Sequence, residues 1–251
     1  MTPFSVLLSL GPSIVGSTEA RNVTLMAGAA ENLFTPAMEQ TDDWQPTVYE
    51  DLYARSLVLS DGQEYLVIIT ADHFMQSFDQ TEIMRRVINR ATGISPNSIF
   101  INFSHTHNSM FPDGRWKKEA QVSTAELDIP YDEWLGSEGR ALDPFIQWWF
   151  GHLAEATKRA KDNLQPAELG VGRAPVQIGY NRRPIRDGVC VMAENPGGAV
   201  VPWTDVLGVY SQASGRNDAD NQIAVMFTHA AHPVIVHFGG WPNPDYSKPA
   251  I

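Results

Sequence analysis

Apolar and polar positions along the chain fall into short runs with two different periods. Tyr53–Leu59 and Glu64–Ala71 are rich in Val, Leu, Ile and Tyr, and Ser60-Asp61-Gly62-Gln63 between them is turn chemistry, so the pair predicts a β-hairpin. YLVIITA in its second strand is apolar nearly throughout, the pattern of a strand covered on both faces. Over Ser77–Thr92 the period changes. Ile83, Val87 and Ala91 fall four apart, Met84 and Ile88 widen the stripe, and Gly93 follows as a stop, which predicts an amphipathic helix. SIFINF at Ser98–Phe103 predicts a further strand and gives strand–helix–strand order. Asn22–Ala30 predicts a first strand. Ala141–Leu164, with Phe145, Trp148, Trp149, Leu153 and Ala156 on one side, predicts the longest helix. Leu169–Ile178, Val189–Ala193, Leu207–Ser211 and Ile223–Thr228 make the second half strand-rich, with spacings that favour hairpins. The expected class is mixed α/β: one domain of mostly mixed or antiparallel sheets flanked by helices. Asn108–Leu135 stands out as a long aromatic and acidic loop directly after a strand, the kind of segment that walls or covers a binding site.

Charge narrows the function classes. The 29 acidic and 18 basic residues leave a formal net charge of −11, which excludes nucleic acid as an expected partner because a phosphate-backbone binder needs a basic footprint. Cys190 is the only cysteine, so no internal disulfide, zinc ribbon or CxxC redox pair is available. No transmembrane segment is predicted, since no run approaches the ~18–20 apolar residues that a span requires. Residues 1–24 read as an N-terminal extension or a weak signal segment. Phe4–Leu10 is apolar, but no Lys or Arg precedes it and Gly11-Pro12 cuts it short. A cleaved leader would place the protein in a secreted or periplasmic setting, and the cytoplasm stays open as the alternative.

Chemistry concentrates after strands. His105-Thr106-His107 follows SIFINF-Ser104 directly, and in extended backbone residues two apart point to the same side, so both imidazoles can reach one metal or one substrate. His229, His232 and His237 follow IAVMFT, and Asp72-His73 follows YLVIITA. Histidines after strands also cap turns and fill hydrogen bonds, and His152, inside the Trp-rich helix, reads as that kind of residue. Asn181-Arg182-Arg183-Pro184 puts two guanidiniums in a loop, where each is either a planar fork for a substrate oxygen or half of a surface ion pair. No GxSxG elbow, GxxxxGK[ST] loop or HExxH helix is present, which leaves serine-hydrolase, P-loop and zincin readings without support.

Taken in order, several segments resemble the N-terminal catalytic domain of the neutral/alkaline (non-lysosomal) ceramidase family. AGAAENLFTPA (27–37) is similar to that family's opening strand and D-I-T-P segment, with a departure at the acidic position. DLYARSLVLSDG (51–62) resembles its D-P-L-x-A-R-A-L-V-L hairpin, and ATGISPNSIFINFSHTHNS (91–109) the strand entering its H-T-H-S metal loop. LQPAELGVGRAPVQIGYNRRP (164–184) resembles its N-R segment, AVMFTHAAHPVIV (224–236) its A-x-H-P strand, and PDYSKPA (244–250) its D-Y stretch. The resemblance covers roughly 27–250, and implies a ceramidase-like domain over 25–251 that is incomplete at its C-terminus.

The resemblance implies a zinc amidohydrolase that cleaves the N-acyl bond of ceramide, with a small-molecule N-acyl or lipid substrate. By motif, His105 and His232 are the zinc ligands, His107 a catalytic neighbour bonding substrate or bound water, and Arg182 the site arginine. Asp72 enters as a third ligand or as a group orienting His105 or His107. The family's remaining ligands, a Glu and a Tyr, lie downstream of the D-Y segment. The expectation is therefore that zinc is held weakly by two imidazoles alone, below the usual three or four protein ligands. H-S-G-P of the family is His107-Asn108-Ser109-Met110 here, a departure that bears on ceramide itself. Two alternatives stay open: a truncated, non-catalytic homologue serving as a binding or structural module, and a metal-dependent hydrolase of another polar ester or amide.

Overall fold

The computed structural model describes residues 24–35, 50–109, 144–213 and 221–233. The possible signal segment, nearly all of the 108–135 loop, His237 and the 244–250 stretch lie outside these residues. The first half is built from β1 (Met26–Leu33), β2 (Tyr53–Ser60), β3 (Tyr65–Ala71), helix α1 (Phe78–Thr92), a 3-10 turn (Pro96–Ser98), β4 (Ile99–Phe103) and helix α2 (Pro144–Asp162). The second contributes β5 (Gln165–Pro175), β6 (Ile185–Arg186), β7 (Val189–Cys190), β8 (Trp203–Ser211) and β9 (Gln222–Thr228). Seven strands form one mixed sheet in the order β4-β3-β2-β1-β5-β8-β9, and β6 and β7 form a separate ribbon. The molecule is an α/β domain.

Local chemistry explains the predicted elements. Ser77 caps α1 by accepting from the Gln80 N–H, while the Gln80 side chain returns to the Ser77 N–H, a capping box that satisfies two donors at the helix start. Gly93 ends α1 in the left-handed region (φ 73°), which glycine enters without a Cβ penalty. The β2–β3 hairpin turns where Asp61 Oδ1 accepts from the Gln63 and Glu64 N–H groups. β3 and β4 are parallel neighbours joined through α1, with Ala71 opposite Phe103. Their C-terminal ends therefore lie side by side on one edge, the place where open α/β sheets bind ligands.

Both helices cover the same face of the first half. Ala54 and Val58 of β2 and Val67, Ile69 and Ala71 of β3 pack under Ile83, Val87 and Ile88 of α1 and Trp149, Phe150 and Leu153 of α2. Helix α2 presses so closely on β1 that a Cβ at Gly28 would stand 2.1 Å from the Ala160 carbonyl oxygen, so only glycine fits there. The expected double burial of YLVIITA is not what forms. Val67, Ile69 and Ala71 are buried, but Leu66 is half exposed because the helices lie on one side only.

The opposite face is covered by the second half of the same sheet. Ala27, Leu57 and Leu59 pack with Ala167, Val209, Leu207 and Ala224. Only two residue pairs, Met26–Pro166 and Ala27–Gln165, join β1 to β5. So short a ladder lets β5–β8–β9 turn back over β1 and β2.

Candidate metal centre

His105, His107 and His232 meet. One nitrogen from each ring lies within 4.8 Å of the other two, and all three side chains are half-buried. His107 Nε2 stands 3.2 Å from His232 Nε2, although 125 positions separate them in sequence. Ring centroids are 4.9 Å apart for His105 and His232 and 5.4 Å for His105 and His107. Imidazole nitrogens brought together at this range repel as lone pairs unless a proton or a cation lies between them. Such a group could hold a metal ion.

The 104–109 segment aims its two imidazoles by an in–out alternation. Thr106, Asn108 and Ser109 are buried, and His105 and His107 point the other way. The backbone is not the extended strand that the spacing implied. His105 sits at φ 63°, a left-handed conformation uncommon for a residue with a Cβ, which bends the chain just past β4. Backbone bonds hold that bend against β3: the Ser104 N–H donates to Ala71 O at 3.0 Å and the His105 N–H to His73 O at 2.9 Å.

Phe74 orients the first imidazole twice over. Its carbonyl, which can only accept, takes a hydrogen bond from His105 Nδ1 at 2.9 Å. That fixes the proton on Nδ1 and leaves Nε2 with a free lone pair, the arrangement found when a metal-binding histidine is braced from behind. The Phe74 ring also stacks on His105 at 4.4 Å and meets His107 edge-on at 4.6 Å. Nothing in the residue pattern marked Phe74, since an aromatic after a strand carries no ligand chemistry.

His73 works from beneath. It is buried, contacts Trp149 of α2 at 4.1 Å, and places Nε2 2.7 Å from the Gln76 amide and Nδ1 3.4 Å from Ser109 Oγ. Ser109 Oγ in turn accepts from the Phe74 N–H at 3.1 Å. Burial pushes the His73 imidazole down to about 4, with a backbone hydrogen bond at Met75 acting weakly the other way. The ring is therefore neutral at pH 7, and it ties the His105–His107 segment to the core.

The other sequence candidates take different places. Asp72 Oδ2 accepts from the Tyr53 N–H at 3.0 Å and from Arg55 Nη1 at 3.2 Å, so the carboxylate braces the end of the β2–β3 hairpin and is not in the three-histidine group. Arg182 is half-buried, and its loop approaches the centre through Gly179, which packs against Ala231 beside His232. Among the described residues, no hydrogen bond joins its guanidinium to the imidazoles. His229 Nδ1 lies 3.1 Å from Thr204 Oγ1, outside the group. His152 Nδ1 donates to the Trp148 carbonyl at 2.9 Å within α2. The two-imidazole expectation changes most: His107, placed by the sequence reading as a neighbour of the ligands, brings a third ring nitrogen into their range.

No protein-family model matches the chain, and no curated protein sequence matches it. Solved structures do. The neutral ceramidase from Pseudomonas aeruginosa is similar at a TM-score of 0.58 and 14% identity, over 89% of this chain and 34% of that one. A ceramidase complexed with C2 is similar at 0.52 and 15%, over 85% of this chain and 32% of that one. The chain thus spans about a third of the length of those enzymes. At this identity the likeness is one of fold, and it agrees with the resemblance carried by the motifs: a partial ceramidase-like domain.

Proposed function

We propose that this chain carries the histidine part of a zinc site in an amidohydrolase that cleaves the N-acyl bond of a ceramide-like lipid. The observation that carries the reading is the convergence of His105, His107 and His232 from strands at opposite edges of the sheet order. The donor set fits the ion. Two imidazole nitrogens on a tetrahedral zinc stand about 3.3 Å apart when Zn–N is ~2.0–2.1 Å, against the 3.2 Å between His107 and His232. Three protein ligands with one position left open is the usual count for a catalytic site, and half-burial leaves that position reachable. A zinc ion held there supplies a Lewis acid for an amide carbonyl and for a water at neutral pH.

The remaining work falls to the protein. The Phe74 carbonyl keeps the His105 proton on Nδ1, so that its Nε2 stays available as a ligand. His107 serves as third ligand or as the group that hydrogen-bonds the attacking water. Arg182, three residues beyond the Gly179 that lies against Ala231, would supply a planar donor fork for a substrate oxygen. Asp72 acts at a distance by holding the strand end from which His73 and Phe74 leave.

Zinc titration of the metal-free chain tests this directly, followed by turnover of a panel of N-acyl amides and esters. One zinc per chain is expected. His105→Ala and His232→Ala should each weaken it by at least about 100-fold, the upper range for disturbing even an outer partner of a ligand. Equal zinc uptake by the wild type and by either variant would sink the reading. Zinc binding with ester but no amide turnover would keep the metal and replace the substrate.

A further inference from the structure

We propose that the β6–β7 hairpin with its flanks, residues 178–192, is a docking element for an anionic lipid surface. The hairpin is a narrow ribbon. Asp187 and Gly188 at its tip both adopt positive φ (52° and 78°), the pair of conformations that a two-residue hairpin turn demands. Ile185 faces Cys190 and Arg186 faces Val189 across the ladder. Below them the Val191, Ala193 and Asn195 N–H groups donate to the carbonyls of Pro184, Arg182 and Asn181 at 3.0–3.3 Å, which fixes the stem.

What the ribbon displays is unusual for a surface. Tyr180 is 68% exposed, Ile185 67%, Val189 61% and Met192 71%. Among the described residues no second layer covers this two-stranded ribbon, and such side chains stay in water at a cost of roughly 25 cal/mol per Å² of apolar surface. Interspersed with them are Arg182, Arg183 and Arg186 against one acid, Asp187: three positive less one negative is +2, in a chain whose net charge is −11.

That contrast identifies the occupant. Exposed apolar side chains among arginines match an anionic bilayer surface, where the apolar groups enter the headgroup boundary and each cation gains from the surface potential. The acidic remainder of the chain is repelled by the same surface, so the hairpin alone leads. Its root lies beside the histidine cluster, because Gly179 packs against Ala231, the neighbour of His232. Docking by the tip thus brings lipid toward the half-buried imidazoles.

Vesicle sedimentation of the whole chain tests the proposal without requiring metal or turnover, so it fails or succeeds independently of the hydrolase reading. Binding is expected to phosphatidylcholine vesicles containing phosphatidylserine, and to fall with salt and without the anionic lipid. Arg183→Gln and Arg186→Gln should each reduce partitioning about fivefold, the equivalent of ~1 kcal/mol per basic residue. The triple change Ile185→Ser, Val189→Ser and Met192→Ser should reduce it at least about tenfold. Cys190, the one cysteine and exposed on the ribbon, gives a second readout in the otherwise native protein. An environment-sensitive fluorophore there should blue-shift on the anionic vesicles. Sedimentation with an unshifted label would place lipid elsewhere on the molecule and overturn the proposal. Absence of sedimentation would overturn it too, and would leave the ribbon as a surface for a polypeptide.

Discussion

In the β1–β4 half of the sheet, the strands lie beneath two helices and their inward side chains are closed off from water; in the β5–β8–β9 half, Val225 and Phe227 of β9 and Val171 of β5 remain open to it. The first half supplies His105 and His107 on a bend tied to the core by the buried His73 and Trp149. Among the described residues the second supplies His232, on a loop past β9, and its ladder to the first is two residue pairs long. A site assembled across such a join has one pre-organised side and one adjustable side. The difference teaches where precision resides: the Phe74 and His73 contacts fix two rings, and the third is brought to them by the fold-over of the sheet.

Unequal packing should show first in stability. Trp149→Ala removes a fully buried ring that touches Phe34, His73, Phe103 and Phe150, and should cost ~3–5 kcal/mol in urea denaturation. The same truncation at Phe227, 41% exposed, should cost less than ~1 kcal/mol. Equal losses at the two positions would erase the contrast between the halves.

Acid should weaken the first half through His73. An unfolded histidine ionises near 6.5, whereas this one is pushed down to about 4 by burial, so between those values the unfolded chain binds the extra proton and the native state does not. The stability it confers is complete above pH ~6.5 and falls as the pH drops toward 4, by up to ~1.4 kcal/mol per pH unit. His152, also lowered by burial, acts in the same direction. Denaturation of the metal-free chain at several pH values checks this, and His73→Gln should flatten the slope. An undiminished slope in that variant would assign the acid sensitivity to other groups.

The smallest effect is expected on the open side. Arg173 and Asp205 pair between β5 and β8 with side chains 60% and 49% exposed, and solvent screens what the two charges gain. Arg173→Gln should leave the denaturation midpoint unchanged within error. A clear shift would show that the second half depends on its surface for order.

Most elements were legible because each has its own periodic record. The hairpin, α1 with its Ser77 and Gly93 caps, and β4 form within a residue or two of the boundaries their apolar spacing predicts. The placement of both histidine clusters after strands was legible for the same reason. The β6–β7 ribbon was less so: Ile185–Arg186 is too short to leave a period, and what makes it a strand is the Asp187-Gly188 turn returning Val189–Cys190 alongside it. The Phe74 carbonyl and the His105 bend left no trace at all, since backbone groups and dihedral angles are not written in side-chain type.

By itself, then, the sequence determined where the hairpin and the helices form, which side of α1 is apolar, and that imidazoles stand at the ends of β4 and β9, but not which face of β3 is covered. Only the tertiary structure decided that those ends meet. β4 and β9 are the two outermost strands of the sheet, and they come together because Ala27, Leu57 and Leu59 need cover that Val209, Leu207 and Ala224 provide. Hydrophobic burial is non-directional: it requires an apolar face to be covered without naming the distant element that covers it. That choice rests on the two-pair join at β1–β5 and on the shapes packed across it, and it carries His232 to His107.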